Sequence, residues 1–122
     1  MSTPLTVLIV EDDALIALGF AAVLEDLGHR IVGPVADAAG ALALAGTTPI
    51  DCALVDVRLG TDDGVALAVS LRERFDVPAI FVSGTLDQDT RARAAAARPI
   101  AHFSKPVAPE DIDRGIREAF GR

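Results

Sequence analysis

Three adjacent carboxylates, Glu11, Asp12 and Asp13, directly follow an apolar run that ends at Val10. Neighbouring carboxylates repel one another, and burying any of them without a partner is costly. Helix capping accounts for one or two of these acids, because the N-terminus of a helix favours negative charge. It does not account for all three, so the triplet raises the question of a counter-ion.

Other polar residues also stand where apolar runs end. Asp56 lies near the end of one such run, Ser83 ends another, and Lys105 lies just beyond a third. If these runs are neighbouring parallel strands, the carboxylates of Glu11, Asp12 and Asp56 converge at one edge of the sheet. Oxygen ligands without nearby histidine or cysteine favour Mg²⁺, which Mn²⁺ could replace. The acidic first loop argues against a phosphate-cradling flavin or dinucleotide site.

The elements that would position these residues alternate along the chain. We predict strands at 5–10, 30–35, 52–57, 79–83 and 100–103, and helices at 13–27, 37–46, 64–75, 88–97 and 109–120. The first, third and fourth strands are almost continuously apolar, as expected of strands that are covered on both faces. The alternating order predicts a parallel sheet with helices on both sides.

Two further expectations concern the first helix and the turn after it. One line of the first helix carries residues four apart, and a second line lies beside it, which indicates a broad apolar stripe. The first line is Leu15, Gly19, Val23 and Leu27, and the second is Ile16, Phe20 and Leu24. His29 precedes the second strand, and we expect it to be a solvated loop residue.

Composition limits the classes of function. The chain has 122 residues, enough for one domain with a proper core, and a net charge of −7, which argues against a nucleic-acid partner. No segment is long and apolar enough to span a membrane, so we expect no membrane association. Cys52 is the single cysteine and lies in an apolar run. A buried, inert thiol in the reducing cytoplasm is the expected state.

Four motifs carry a family resemblance. The segments VLIVEDD, LVDVRLGTDDG, FVSGT and SKP occur in this order, each around the end of a predicted strand. With them the chain resembles the response-regulator receiver domain of two-component signalling, over essentially its whole length. The resemblance implies a flavodoxin-like (βα)₅ fold with strand order 2-1-3-4-5. It also implies a stand-alone receiver over residues 1–122 with no output domain.

The resemblance implies roles for the acids. Asp56 would be the phosphoacceptor, a carboxylate nucleophile that forms an aspartyl phosphate. Glu11, Asp12 and Asp56 would hold Mg²⁺ together with the backbone carbonyl of Arg58. Asp13 would then cap the following helix.

It also implies roles for residues on the later strands. Ser83 would offer its hydroxyl and Lys105 its ammonium to the phosphoryl group, and the Lys105–Pro106 bond would be cis. His102 stands where the family commonly has an aromatic switch residue, although an ordinary edge-strand histidine is an equal alternative. Gly60 stands where the family usually has proline.

The function implied is acceptance of a phosphoryl group from a histidine kinase or a histidine phosphotransfer protein. Self-phosphorylation and autodephosphorylation at Asp56 would require Mg²⁺, and a downstream protein would bind the face of the fourth helix, fifth strand and fifth helix. One alternative is a phosphatase of the haloacid-dehalogenase type, which needs a second Asp where this chain has Arg58. Others are a degenerate receiver that binds partners without phosphorylation, or a receiver excised from a larger protein.

Overall fold

Five parallel strands form one sheet in the computed structural model, which describes residues 4–84 and 87–121. The strands are β1 (Thr6–Val10), β2 (Arg30–Val35), β3 (Cys52–Asp56), β4 (Ala79–Ser83) and β5 (Ala101–Ser104). Their order across the sheet is β2-β1-β3-β4-β5, and every neighbouring pair is parallel. The flavodoxin-like topology and the strand order 2-1-3-4-5 are therefore confirmed.

Five α-helices connect and cover the strands. They are α1 (Ala14–Asp26), α2 (Ala38–Ala45), α3 (Gly64–Phe75), α4 (Gln88–Ala94) and α5 (Pro109–Ala119). The helix predicted at 88–97 is shorter than expected, because its last turn tightens into a 3₁₀ helix over Ala95–Ala97. Within the described ranges, none of the helices has the length and apolar character needed to cross a bilayer.

The sheet divides the core into two layers of side chains. All five residues of β3 and of β4 are buried, which explains why these strands read as unbroken apolar runs. Phe81 belongs to the layer shared with α3 and α4, and Ile80 to the layer shared with α1 and α5. Cys52 is fully buried, as expected, and burial raises the pKa of its thiol to about 12.

A short two-stranded ladder follows β3 and was not predicted. Arg58–Leu59 pairs antiparallel with Asp62–Asp63, and Leu59 is buried. The side chain of Asp62 accepts a hydrogen bond from the backbone N–H of Ala38 at 3.0 Å. Asp63 caps α3 through its Oδ1 atom. These bonds hold the loop after Asp56 against the starts of two helices.

The stripe predicted on α1 is only partly correct. Phe20 and Leu24 are buried, but Leu15 is 82% exposed. The periodicity of a helix identifies lines of apolar residues, but the neighbouring elements decide which lines are covered. In this fold, β1 and α5 cover the Phe20 side of α1, and Leu15 faces outward.

The expectation for His29 is wrong, because this residue is 6% exposed. Its Nε2 atom lies 2.6 Å from a carboxylate oxygen of Asp113 on α5. Arg117 donates to both oxygens of the same carboxylate at 3.0 Å and also to the backbone carbonyl of Leu27. The three side chains tie the turn after α1 to α5.

The first helical position of α3 must be glycine. A Cβ added at Gly64 would fall well inside van der Waals contact of the Asp56 carbonyl oxygen, whereas a Cβ at Gly19 of α1 would meet nothing within 4 Å. We expect Gly64→Ala to lower the free energy of unfolding by about 1–3 kcal/mol, as overpacking does. The matched variant Gly19→Ala should raise it by roughly 0.5–1 kcal/mol, because it removes a glycine from a helix interior. Urea unfolding measures both, and equal effects of the two variants would contradict this packing.

Candidate functional site

The ends of β1 and β3 bring three carboxylates to one edge of the sheet. Glu11 and Asp56 are 4% and 8% exposed, whereas Asp12 is exposed. One oxygen from each of the three lies within 4.8 Å of the others. The predicted convergence of Glu11, Asp12 and Asp56 is thus present in the structure, and its cause is the direct pairing of β1 with β3.

Lys105 supplies the positive charge at this site. Its Nζ atom donates to Oε1 of Glu11 and to Oδ2 of Asp56, both at 2.7 Å. The backbone N–H of Lys105 donates to the carbonyl of Ser83 at 2.7 Å, which places the loop after β5 beside the end of β4. The Lys105–Pro106 bond is cis, as expected.

Asp13 and Asp12 accept hydrogen bonds from different parts of the chain. Oδ1 of Asp13 accepts hydrogen bonds from the N–H groups of Leu15 and Ile16, so Asp13 caps α1 as predicted. Asp12 instead turns toward the loop after β3, where its Oδ2 accepts from the N–H of Gly60 at 3.0 Å. Sequence reasoning missed this bond. The signal was available, because proline, the usual family residue at this position, has no N–H to donate.

A cavity of about 340 Å³ opens above Asp56. Arg58 and Ser83 line it together with Asp12, Asp56, Gly84 and Lys105. The N–H of Arg58 donates to Oδ1 of Asp56 at 3.0 Å, and Ser83 is 4% exposed. Every predicted residue of the acceptor site therefore borders this cavity or, like Glu11, contacts Lys105 beneath it. Thr85, the last residue of the FVSGT motif, lies outside the described residues.

Burial and neighbouring charges have opposite effects on the pKa values of Glu11 and Lys105. Burial raises the pKa of Glu11 to about 7, although the hydrogen bond from Lys105 opposes this, and the carboxyl groups of Asp56 and Asp12 add to the increase. Burial lowers the pKa of Lys105, but hydrogen bonds to Asp56 and Glu11 and their charges outweigh it, so the pKa is raised overall. The ammonium therefore stays charged.

The donor set suits a hard divalent cation. The cluster of Glu11, Asp12 and Asp56 offers carboxylate oxygens alone, which are the ligands that Mg²⁺ and Mn²⁺ prefer. The ammonium of Lys105 neutralises only part of the negative charge of the three carboxylates. A bound cation would reduce the repulsion that remains among them. The residues present fit such an ion.

His102 lies apart from the cavity. It is paired in register with Phe81 of β4, and the two ring centroids are 5.4 Å apart. Its Nε2 atom is buried and has no hydrogen-bond partner among the described residues. Burial lowers the pKa of His102, and the charge of Arg91 lowers it further.

Known proteins with similar sequences are response regulators and transcriptional regulatory proteins. The family model described as the response regulator receiver domain matches residues 7–117. Transcriptional regulatory protein PdtaR of Mycobacterium tuberculosis is 31% identical over 121 residues, which cover 99% of this chain and 59% of PdtaR. Phyllosphere-induced regulator PhyR of Methylorubrum extorquens is 28% identical, over 93% of this chain and 43% of PhyR. The chain thus spans about half the length of these two relatives.

Solved receiver structures share the fold. The signal receiver domain of a modulated diguanylate cyclase from Desulfovibrio desulfuricans superimposes with a TM-score of 0.84 at 35% identity, covering 98% of this chain and 95% of that one. A CheY-like response regulator receiver domain protein from Methanospirillum hungatei gives a TM-score of 0.89 at 27% identity, with the same coverage.

The raised pKa of Glu11 makes stability depend on pH. Between its ordinary value of 4.5 and about 7, the folded state binds more protons at this carboxyl than the unfolded chain does. Its contribution to stability is therefore complete below 4.5 and is lost as the pH rises through about 7. In buffer with a metal chelator, we expect the stability of the wild type relative to Glu11→Gln to fall across this range.

Urea unfolding at several pH values measures this difference, with the exposed Glu25→Gln as the control that should show no such trend. If the difference in the free energy of unfolding between the wild type and Glu11→Gln is the same at every pH, the pKa of Glu11 is not raised.

Proposed function

Because the chain belongs to the response regulator receiver domain family, we propose that it accepts a phosphoryl group on Asp56 from a phosphohistidine of another protein. The donor would be a histidine kinase or a histidine phosphotransfer protein, and residues 1–122 would act as one receiver domain in the cytoplasm. The observation that carries the proposal is the contact of one ammonium, that of Lys105, with two buried carboxylates beneath an open polar cavity.

The reaction requires a nucleophile, neutralisation of charge and positioning. A lone pair on a carboxylate oxygen of Asp56 attacks phosphorus, and the bond from phosphorus to the donor imidazole nitrogen breaks. The electron pair of that bond stays on the imidazole, and Asp56 becomes an acyl phosphate. Attack of water on the same phosphorus would later release inorganic phosphate and restore the carboxylate.

Residues around Asp56 stabilise the transferred group. Lys105 would donate to a phosphoryl oxygen, and Ser83, which also lines the cavity, would offer its hydroxyl. Arg58 already donates its N–H to Asp56, which holds the carboxylate in one orientation. Mg²⁺, held by Glu11, Asp12, Asp56 and the carbonyl of Arg58, would neutralise phosphoryl charge when bound.

An apolar cavity beside the site suits the donor protein. It has a volume of about 500 Å³ and lies between α1 and the loop after β5, with Ile16, Phe20 and Val107 among its lining residues. Lys105 borders both this cavity and the polar one, so a helix seated here would hold its histidine near Asp56. The exposed Leu15 lies one turn before Gly19 of this lining and extends the apolar surface.

A second surface would receive the downstream protein. This face consists of α4, β5 and α5, and it carries Arg91 and Arg98 on the α4 side and Asp111 and Glu118 on α5. Its mixed charge favours a protein target. We propose that phosphorylation changes the arrangement of this face.

Phosphorylation at Asp56 is tested directly by intact mass. We expect incubation with phosphoramidate and Mg²⁺ to add one phosphoryl group to the wild type, and a chelator to prevent it, because three carboxylates otherwise repel the incoming anion. Asp56→Asn should stay unmodified, whereas the matched control Asp89→Asn on α4 should be modified as the wild type is. Equal labelling of Asp56→Asn and the wild type would overturn the proposal. A folded wild type that is never labelled would favour a receiver that binds partners without phosphorylation.

A further inference from the structure

His102 occupies a position where its charge state matters for packing. Its register partner Phe81 is fully buried and belongs to the layer of side chains that includes Ala94 and Ala97. Side chains paired in register on neighbouring parallel strands point to the same face of the sheet. His102 therefore lies on the face that α4 and its 3₁₀ extension cover.

The surroundings of the His102 imidazole favour its neutral form. Its Nε2 atom is buried without a hydrogen-bond partner among residues 4–84 and 87–121. On the neighbouring strand it faces the uncharged ring of Phe81, and from α4 the charge acting on it is that of Arg91. Arg93, the next cation of α4, is already paired with Asp63. Among the described residues, burial and the charge of Arg91 lower the pKa of the ring, and no carboxylate counteracts them.

The attachment of α4 to the sheet is slight. The helix has seven residues, and the buried side chains of α4 and its 3₁₀ extension are those of Ala94 and Ala97. Alanine buries little apolar surface, so these residues alone hold the helix weakly. A neighbouring ring that must move toward water would therefore disturb α4 more readily than it would disturb the larger helices.

We propose that His102 is a pH-sensitive element that loosens the packing of α4 on β4 and β5 when its ring is protonated. A charged ring beside Arg91 would turn outward to reach water, and the space beside Phe81 would open. The effect goes beyond the proposed phosphorylation, because neither Asp56 nor a metal takes part. Protonation of His102 would therefore change the face of α4, β5 and α5 independently of phosphorylation.

The pH dependence of α4 packing is set by the difference in the His102 pKa between the packed and the loosened state. The packed state lowers the pKa of His102, so this state binds the proton less tightly than a state in which the ring is solvated. Packing is therefore complete above the ordinary value of 6.5 and is lost as the pH falls from 6.5 through the lowered pKa. Acid favours the loosened face.

The test is an NMR titration of the unphosphorylated, metal-free protein, which separates this proposal from that of phosphorylation. We expect the His102 ring to titrate with a midpoint below 6.5 and the methyl signals of Ala94 and Ala97 to shift with the same midpoint. His102→Phe, which keeps an aromatic ring and removes the charge, should abolish the shift of both alanines.

Arg91→Gln provides a second variant that leaves the ring in place. It should raise the His102 midpoint, whereas Arg30→Gln on the far edge strand should leave it unchanged. The proposal is overturned by a His102 midpoint at or above 6.5, by alanine signals that do not follow the ring, or by an alanine shift that persists in His102→Phe.

Discussion

The ammonium of Lys105 is the charge on which the acidic edge of this sheet depends. It donates to the buried carboxylate of Glu11, directly after β1, and to that of Asp56 in β3, both at 2.7 Å, while its own backbone is bonded to the end of β4. Buried charges are tolerated when they are paired and hydrogen bonded, and removing one partner leaves the other uncompensated. Lys105 thus joins the loop after β5 to three strands, and the polar cavity keeps its shape because these strand ends are fixed.

The two ends of α1 and α5 are held by different chemistry. Near the cavity, apolar side chains of α1 and the loop after β5 face each other across a groove. At the opposite end, Asp113 contacts both His29 and Arg117, and Arg117 reaches the carbonyl that ends α1. Polar contacts therefore hold one end of the two helices together, and an apolar groove lies at the other end.

The sequence predicted the fold because continuous apolar strands and amphipathic helices alternate without interruption. It also predicted that Glu11, Asp12 and Asp56 meet, since parallel strands place their carboxyl ends together. It did not predict the burial of His29, whose partner Asp113 lies 84 residues away and is chosen by tertiary packing. The outward position of Leu15 was missed for the same reason, because periodicity does not specify which neighbour covers a helix.

Isothermal titration with Mg²⁺ measures whether the carboxylates around Lys105 hold one divalent cation. We expect one bound ion per wild-type chain and loss of binding in Asp12→Asn, which keeps a polar side chain beside Gly60 but removes a charged ligand. The exposed Asp26→Asn, at the far end of α1, should bind as the wild type does. Binding of Mg²⁺ that is unchanged in Asp12→Asn, or no binding to the wild type, would mean that these carboxylates do not form the cation site.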